Sequence, residues 1–183
     1  MNHADSKLAH GTNGSPQLTT ENGEMEAKVK ENEAKVDASY VYDHDAVIDA
    51  INAGDTEYLR TKLSQTSPIR IPENALISAE HKQSGYEQVS YKWNDSNYTY
   101  ESRWHTHTPN APEYSQDSWV VGRRIPGIGF GKNCRKPVEE VMVGKNKWVT
   151  KNEWKKAIAA RKNGTATQEQ KEMLDNGHWQ VGK

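Results

Sequence analysis

The sequence predicts an α+β domain with short N-terminal helices, a central antiparallel β-sheet and a C-terminal helical hairpin, preceded by a disordered N-terminal tail. Three observations predict it: helix caps at Asp43 and Gly54, aromatic residues that alternate on both sides of an Asn/Asp-rich turn, and two capping boxes near the C-terminus. The 183 residues are 33% hydrophobic, which suffices for one modest core. We expect a tail or linker over residues 1–39 and one domain over residues 40–183.

The N-terminal part of the chain is polar and acidic. Residues 1–39 have almost no large apolar side chains, so burial cannot offset the entropy of ordering them. Residues 1–80 hold 7 basic and 14 acidic residues, whereas residues 81–183 hold 17 and 11. The basic half indicates either a surface that faces a polyanion or lysines solvated on helix faces.

Two short helices are expected next. Asp43 caps the first, which ends at Gly54, a residue that adopts the left-handed conformation of a helix stop without strain. The second begins at Asp55 and ends before Pro68. Residues 69–71 then form a candidate strand.

A β-hairpin is the main element of the expected sheet. Residues 88–93 and 98–105 flank a turn at 94–97, and aromatic and β-branched side chains alternate along both segments. If the aromatic faces pack on the core, Arg103 and His105 point outward, toward solvent or a ligand. The core face would carry Val89, Tyr91 and Trp93 on one strand and Tyr98, Tyr100, Ser102 and Trp104 on the other.

Two further strands and two helices complete the domain. The strands are expected at 118–124 and 138–143. Thr150 and Thr167 each open a helix with a capping box, and the second helix ends at Gly177, directly before His178.

The composition excludes some classes of protein. Cys134 is the only cysteine, so no disulfide forms within the chain. No apolar run is long enough to cross a bilayer, and the polar N-terminus has no signal-peptide core. We therefore expect no membrane insertion by this segment.

Arg103, His105 and His107 follow one another at a spacing of two residues, which would place them on one face of a strand. In ribonuclease-type transesterification a neutral imidazole removes the 2′-hydroxyl proton, a protonated group donates to the leaving 5′-oxygen, and a cation stabilises the phosphorane. These residues are candidates for that chemistry, and it requires no metal or cofactor. For either histidine alone, a structural position at the sheet rim is an equally ordinary explanation.

Other residues are candidates for supporting parts. His178 follows a helix stop and could return to the sheet as a catalytic partner, or could serve only as a helix-terminal cation. Arg123 and Arg124 are candidates for phosphate binding, and the sequence does not distinguish between them. Trp104 and Trp179 are the tryptophans nearest the histidines that could stack on a base.

Metal ligation is an alternative for the same histidines. His105 and His107 could converge on one ion with His178 or Glu101 as a third ligand, which would make a metal-dependent nuclease. Residues 127–132 are glycine-rich but lack the Gly-Lys-Ser/Thr ending of a phosphate-binding loop, so we expect no nucleotide site there.

The segment from Tyr91 to Trp179 resembles C-terminal toxin domains of bacterial polymorphic toxin systems, particularly a family predicted to be RNases. Three pieces carry the resemblance: Arg103-Trp104-His105 with the turn at 108–112, Trp119-Val120-Val121 with Arg123, and the ending from Trp154 to Trp179.

The resemblance implies a secreted toxin, or one delivered into the cytoplasm of a target cell by a larger export system. There it would cleave RNA, possibly tRNA, and a cognate immunity protein would neutralise it. His105 and His178 correspond to the family's histidines, with Arg103 and Arg123 as accompanying basic residues, and His107 is matched less closely. We thus expect a metal-independent endoribonuclease with no cofactor. A basic module that binds nucleic acid or protein without cutting is the alternative.

Overall fold

The sheet is built around the expected hairpin. The computed structural model describes residues 40–181 and contains strands β2 (Tyr86–Asn94) and β3 (Thr99–His105), paired antiparallel. The Asp95 carboxylate closes the turn by accepting hydrogen bonds from the backbone N–H groups of Asn97 (2.8 Å) and Tyr98 (2.7 Å). The expected tail over 1–39 lies outside the described residues.

All strand pairs are antiparallel, in the order β1-β2-β3-β4-β5-β6. The remaining strands of this path are β1 (Leu76–Lys82), β4 (Ser118–Ile125), β5 (Val138–Gly144) and β6 (Lys147–Thr150). Strand β4 divides its second edge between two partners. From Gly122 onward it pairs with β5, whereas Ser118 and Trp119 pair with the short strand β7 (Trp179–Gln180).

One face of the sheet packs against the N-terminal helices. These are α1 (His44–Ala53), α2 (Thr56–Thr61) and a 3-10 turn (Leu63–Thr66). The Asp43 side chain caps α1, and Gly54 ends it with φ 65°, as expected. The alternation of the hairpin places Val89, Tyr91 and Trp104 in this core and packs Trp93 against it, whereas Tyr98 and Tyr100 lie outside it. The buried members are Val47, Ala50, Leu59, Leu63, Ala75, Val89, Tyr91, Trp104, Trp119 and Val181.

The opposite face packs against the C-terminal helical hairpin. Helix α3 (Lys151–Lys162) and helix α4 (Gln168–Gly177) both begin with the expected capping box. They contact mainly β4, β5 and β6. Over β2 and β3 the same face carries polar side chains and borders a cleft. The buried members of this second core are Val120, Val141, Val143, Trp154, Ala157 and Leu174.

The α+β class with helices, antiparallel sheet and C-terminal helical pair is confirmed, but two local expectations were wrong and three strands were not predicted. Residues 69–71 are not a strand, because Pro68 and Pro72 flank them and proline has no N–H for a sheet. The true first strand, β1, is a polar edge strand without the apolar alternation that identifies a half-buried one. The short β6 and β7 also escaped prediction. Finally, β3 ends at His105, so His107 lies in the following loop and not on the strand.

Helix α4 packs closely on α3 where Gly177 meets the Trp154 ring. A Cβ on Gly177 would lie 2.5 Å from Cη2 of the Trp154 ring and closer still to its Cζ3. Helix propensity alone favours alanine by about 1 kcal/mol, but the overlap forces the indole to move. Gly177→Ala should therefore destabilise the protein by about 1–3 kcal/mol in urea unfolding followed by circular dichroism. Asn176→Ala, at an exposed position of the same helix, should change stability little, and a Gly177→Ala variant as stable as wild type would contradict the packing.

Candidate active site

His105 ends strand β3 on the face opposite the Trp104 indole. It is 8% exposed, pairs across the sheet with Ser118, and meets the Tyr86 ring edge-on with centroids 6.2 Å apart. Its Nδ1 lies 2.8 Å from the Thr106 carbonyl oxygen. Because a carbonyl oxygen only accepts, Nδ1 carries the proton and donates it.

His178 reaches the same place from the far end of the chain. Pairing of Trp179 with Trp119 sets the register of β7, so the preceding residue, His178, falls on the face of the sheet that holds His105. The two imidazole rings are perpendicular, with centroids 5.9 Å apart, and the Trp154 ring lies 5.1 Å from His178. The sequence could suggest that His178 returns to the sheet, and the strand register shows where it does so.

Backbone carbonyls hold both imidazoles in one tautomer. Nδ1 of His178 donates to the Leu174 carbonyl oxygen at 2.6 Å, as Nδ1 of His105 does to Thr106. In the neutral ring the proton on Nδ1 leaves Nε2 as an acceptor. Neither Nε2 has a hydrogen-bond partner within residues 40–181, and neither is among the buried unpaired atoms there, so both reach solvent. Each histidine therefore has a basic nitrogen that reaches solvent.

Burial and positive neighbours disfavour protonation of the pair. Burial lowers the pKa of His105. The Thr106 carbonyl raises this pKa and the nearby Arg103 guanidinium lowers it, and the net shift is downward. Burial likewise lowers the pKa of His178 to about 4, with the Leu174 carbonyl raising it and His105, Arg161 and Arg103 lowering it. A positive charge on one ring opposes a positive charge on the other, so the pair binds a second proton less readily than the first.

A cleft of about 390 Å³ opens beside the two histidines. Arg103 and Arg161 contribute guanidinium groups to its lining, and none of its lining residues is acidic. Arg103 approaches Glu101 at 3.7 Å, whereas Arg161 has no ion pair within the described part of the chain. The cleft is lined by Ser84, Tyr86, Gln88, Arg103, His105, Thr108, Pro109, Asn110, Val120, Trp154, Ile158, Arg161 and His178. Such a lining favours an anionic ligand.

Arg161 is the site residue that sequence reasoning missed. It lies seven residues after Trp154 on α3, and residues at that separation share one helix face. The spacing of Trp154 and Arg161 was therefore visible in the sequence. It did not identify Arg161 as a site residue, because the sequence does not show which strands α3 packs against.

The other candidate residues, His107, Arg123 and Arg124, do not line this cleft. His107 lines a smaller depression beside the two histidines, and Arg123 and Arg124 line a neighbouring cavity. His107 is exposed, and its Nε2 donates to the Pro112 carbonyl oxygen at 3.1 Å. Arg123 pairs with Glu140 at 2.9 Å and lies over the rings of Tyr98 and Trp148, with its guanidinium carbon 4.4 and 4.0 Å from their centroids. A guanidinium held in this way contributes to packing. The expected phosphate contact of Arg123 stays a prediction.

Neither tryptophan expected to stack on a base is available for it at this site. Trp104 is completely buried, and Trp179 packs against the same core. Both belong to the core face because side chains alternate along a strand, with His105 and His178 on the other face. Trp154 and Tyr86 are the aromatic residues that border the cleft.

The expected metal alternative has no ligand set in the described residues. Within residues 40–181 no three His, Cys, Asp or Glu side chains come together closely enough to hold an ion. The period-two argument for His105 and His107 fails because the strand ends between them.

No protein-family model, curated protein or solved structure matches the chain. In residues 40–181 no helix combines the length and the apolar character needed to cross a bilayer.

The lowered pKa of His178 predicts an acid-sensitive fold. Its folded-state pKa of about 4 lies below the ordinary 6.5, so the unfolded chain binds more protons. The stabilisation is complete above pH 6.5 and is lost as the pH falls toward 4. His178→Gln keeps an amide donor for Leu174 but cannot titrate, and it should lose less stability than wild type between about pH 7 and 4.5, by on the order of 2 kcal/mol.

The measurement is urea unfolding at both pH values. His107→Gln, which changes an exposed imidazole, should lose as much stability on acidification as wild type. An equal loss for His178→Gln and wild type would show that His178 is not held neutral by the fold.

Proposed function

We propose that this protein is a metal-independent endoribonuclease that cleaves RNA by transesterification and leaves 2′,3′-cyclic phosphate ends. The observation that carries the proposal is the convergence of His105 and His178 in the cleft of about 390 Å³, whose lining has two guanidinium groups and no carboxylate. The Asp175 carboxylate lines only a smaller depression that also contains the two histidines. A carboxylate would repel the phosphodiester, so its absence from the lining favours binding of that substrate.

The reaction needs two imidazoles in different protonation states. The neutral Nε2 of one histidine takes the proton of the 2′-hydroxyl, and the 2′-oxygen forms a bond to phosphorus. The bond from phosphorus to the 5′-oxygen breaks, and the imidazolium of the other histidine gives that oxygen a proton. A singly protonated histidine pair has both forms at once, as this step requires.

The guanidinium groups supply the charge stabilisation. The phosphorane has one more negative charge than the bound diester, so cations placed beforehand in a partly buried cleft stabilise it more than they stabilise the substrate. Arg161 suits this role because it has no ion pair within residues 40–181, and Arg103 is held only by the long 3.7 Å contact to Glu101. A bound phosphate would also favour the protonated histidine.

The biological setting is proposed from the resemblance between residues 91–179 and polymorphic toxin domains. In that setting the protein is an RNase toxin, delivered to the target-cell cytoplasm by a larger system and blocked by a cognate immunity protein. The chemistry of the cleft supports only the RNase part. If the protein binds RNA without cutting it, the two histidines are structural, as their bonds to backbone carbonyls alone would allow.

Substitution of the histidines tests the reaction. His105→Ala and His178→Ala should each slow cleavage of total RNA in EDTA by about 10²–10⁴-fold, the usual contribution of a general acid or base. His107→Ala should retain activity, because His107 lies outside the cleft. Products are analysed for the cyclic phosphate, and circular dichroism confirms folding. Full activity of both cleft variants, or intact RNA with wild type, would refute the proposal.

The pH dependence provides an independent test. Because burial holds both pKa values below 6.5, that of His178 at about 4, the singly protonated pair disappears as the pH rises. The value of kcat/KM for a minimal dinucleotide should therefore peak between about pH 4 and 6.5 and fall above it. An optimum above about pH 7.5 would contradict the assignment of acid and base to this pair.

A further inference from the structure

A second cavity continues the histidine cleft along helix α3. It measures about 290 Å³, and it shares Arg103, Val120 and Trp154 with the cleft. At its far end lie Lys92, Arg124 and Lys151, near the beginning of both β3 and α3. We call the combined depression, from Arg161 to Arg124, the α3 groove. It extends the candidate site well beyond one phosphate.

The groove is long enough for a polymer. Strand β3 borders it from His105 back to Thr99, which at about 3.3 Å per residue is roughly 20 Å. Helix α3 borders it from Arg161 to Lys151, which at about 1.5 Å per residue is roughly 15 Å. A dinucleotide bound at the two histidines would fill only one end of this groove.

Positive charge is distributed along the groove. Glu101 lies between Lys92 at 3.4 Å and Arg103 at 3.7 Å, so one carboxylate faces two cations. Lys151 is paired with Glu139 at 3.5 Å. Arg124 is exposed and has no ion pair within the described residues. Arg123 is paired with Glu140 at 2.9 Å. The lining of the α3 groove therefore holds six Lys and Arg residues against three carboxylates, and this excess of positive charge suits a polyanion.

We propose that the α3 groove binds a single strand of RNA on one side of the scissile phosphate, with Arg124 contacting a phosphate several nucleotides away. The inference rests on the proposed function, which places the cut at the histidine end. Cavities of about 290 and 390 Å³ are of the size that single nucleotides fill. Tyr86 is only partly buried and offers aromatic surface at the histidine end, and a basic groove with aromatic residues is how proteins bind single strands without reading sequence.

Binding measured without cleavage tests the groove separately from the reaction. Fluorescently labelled 2′-O-methyl RNA lacks the attacking hydroxyl, so anisotropy with wild-type protein reports affinity alone. Affinity should rise from a dinucleotide to an octanucleotide. Arg124→Ala should weaken octanucleotide binding roughly three- to ten-fold and reduce the slope of log affinity against log salt by about 0.7, the value for one phosphate contact on a single strand.

Lys171→Ala is the matched control, because it removes one exposed positive charge from α4, outside the groove. It should keep the wild-type affinity and salt slope. Affinity that does not depend on RNA length, or equal effects of Arg124→Ala and Lys171→Ala, would refute RNA binding along the α3 groove. Neither result would contradict histidine-dependent cleavage. Equal affinity for the annealed duplex, or for polyglutamate of similar length, would refute the proposal that the groove binds a single strand of RNA.

Discussion

The structure depends on three tryptophans held in register across three strands. Trp104 on β3 pairs with Trp119 on β4, and Trp119 pairs with Trp179 on β7. Each indole N–H bonds to a different part of the molecule, namely the Tyr42 hydroxyl at 3.2 Å, the Thr66 hydroxyl at 2.9 Å and the Met142 carbonyl at 3.3 Å, respectively. The row therefore connects the start of the domain, the 3-10 turn and strand β5 to the middle of the sheet. Because a buried indole N–H without a partner is costly, these bonds fix the register as well as the packing.

The position of the two histidines is a consequence of that register. Side chains alternate along a strand, so a tryptophan in the core places its neighbour on the opposite face. His105 follows Trp104 and His178 precedes Trp179, and both therefore emerge on the side that faces α3. A slip of one residue in either pairing would turn an imidazole into the core and an indole into the cleft. Stability and the candidate chemistry thus depend on the same pairs.

The parts of the fold that the sequence predicted are those that local patterns determine. The capping boxes at Thr150 and Thr167 and the hairpin turn at Asp95 are complete within a few residues, and they were predicted correctly. Strand β7 has two residues, and its existence depends on an open edge of β4 that no local pattern reveals. The surroundings of Arg123 and Arg161 could not be predicted for the same reason. One is held by Glu140 and two rings, and the other joins the cleft through the packing of a helix on distant strands.

The pairing of β7 with β4 also determines when, during synthesis of the chain, the candidate site becomes complete. Ribosomes extend a chain from its N-terminus, and domains fold as their residues emerge. The hairpin with His105 and the remaining sheet are then made well before residues 178–180, which bring the second imidazole to the site. A nascent chain whose residues 178–180 are still inside the ribosome has His105 but not His178 at the site, and part of the edge of β4 is unpaired. For a protein that would attack RNA, the messenger and the ribosome that produce it are exposed to the complete site only after translation has passed this point.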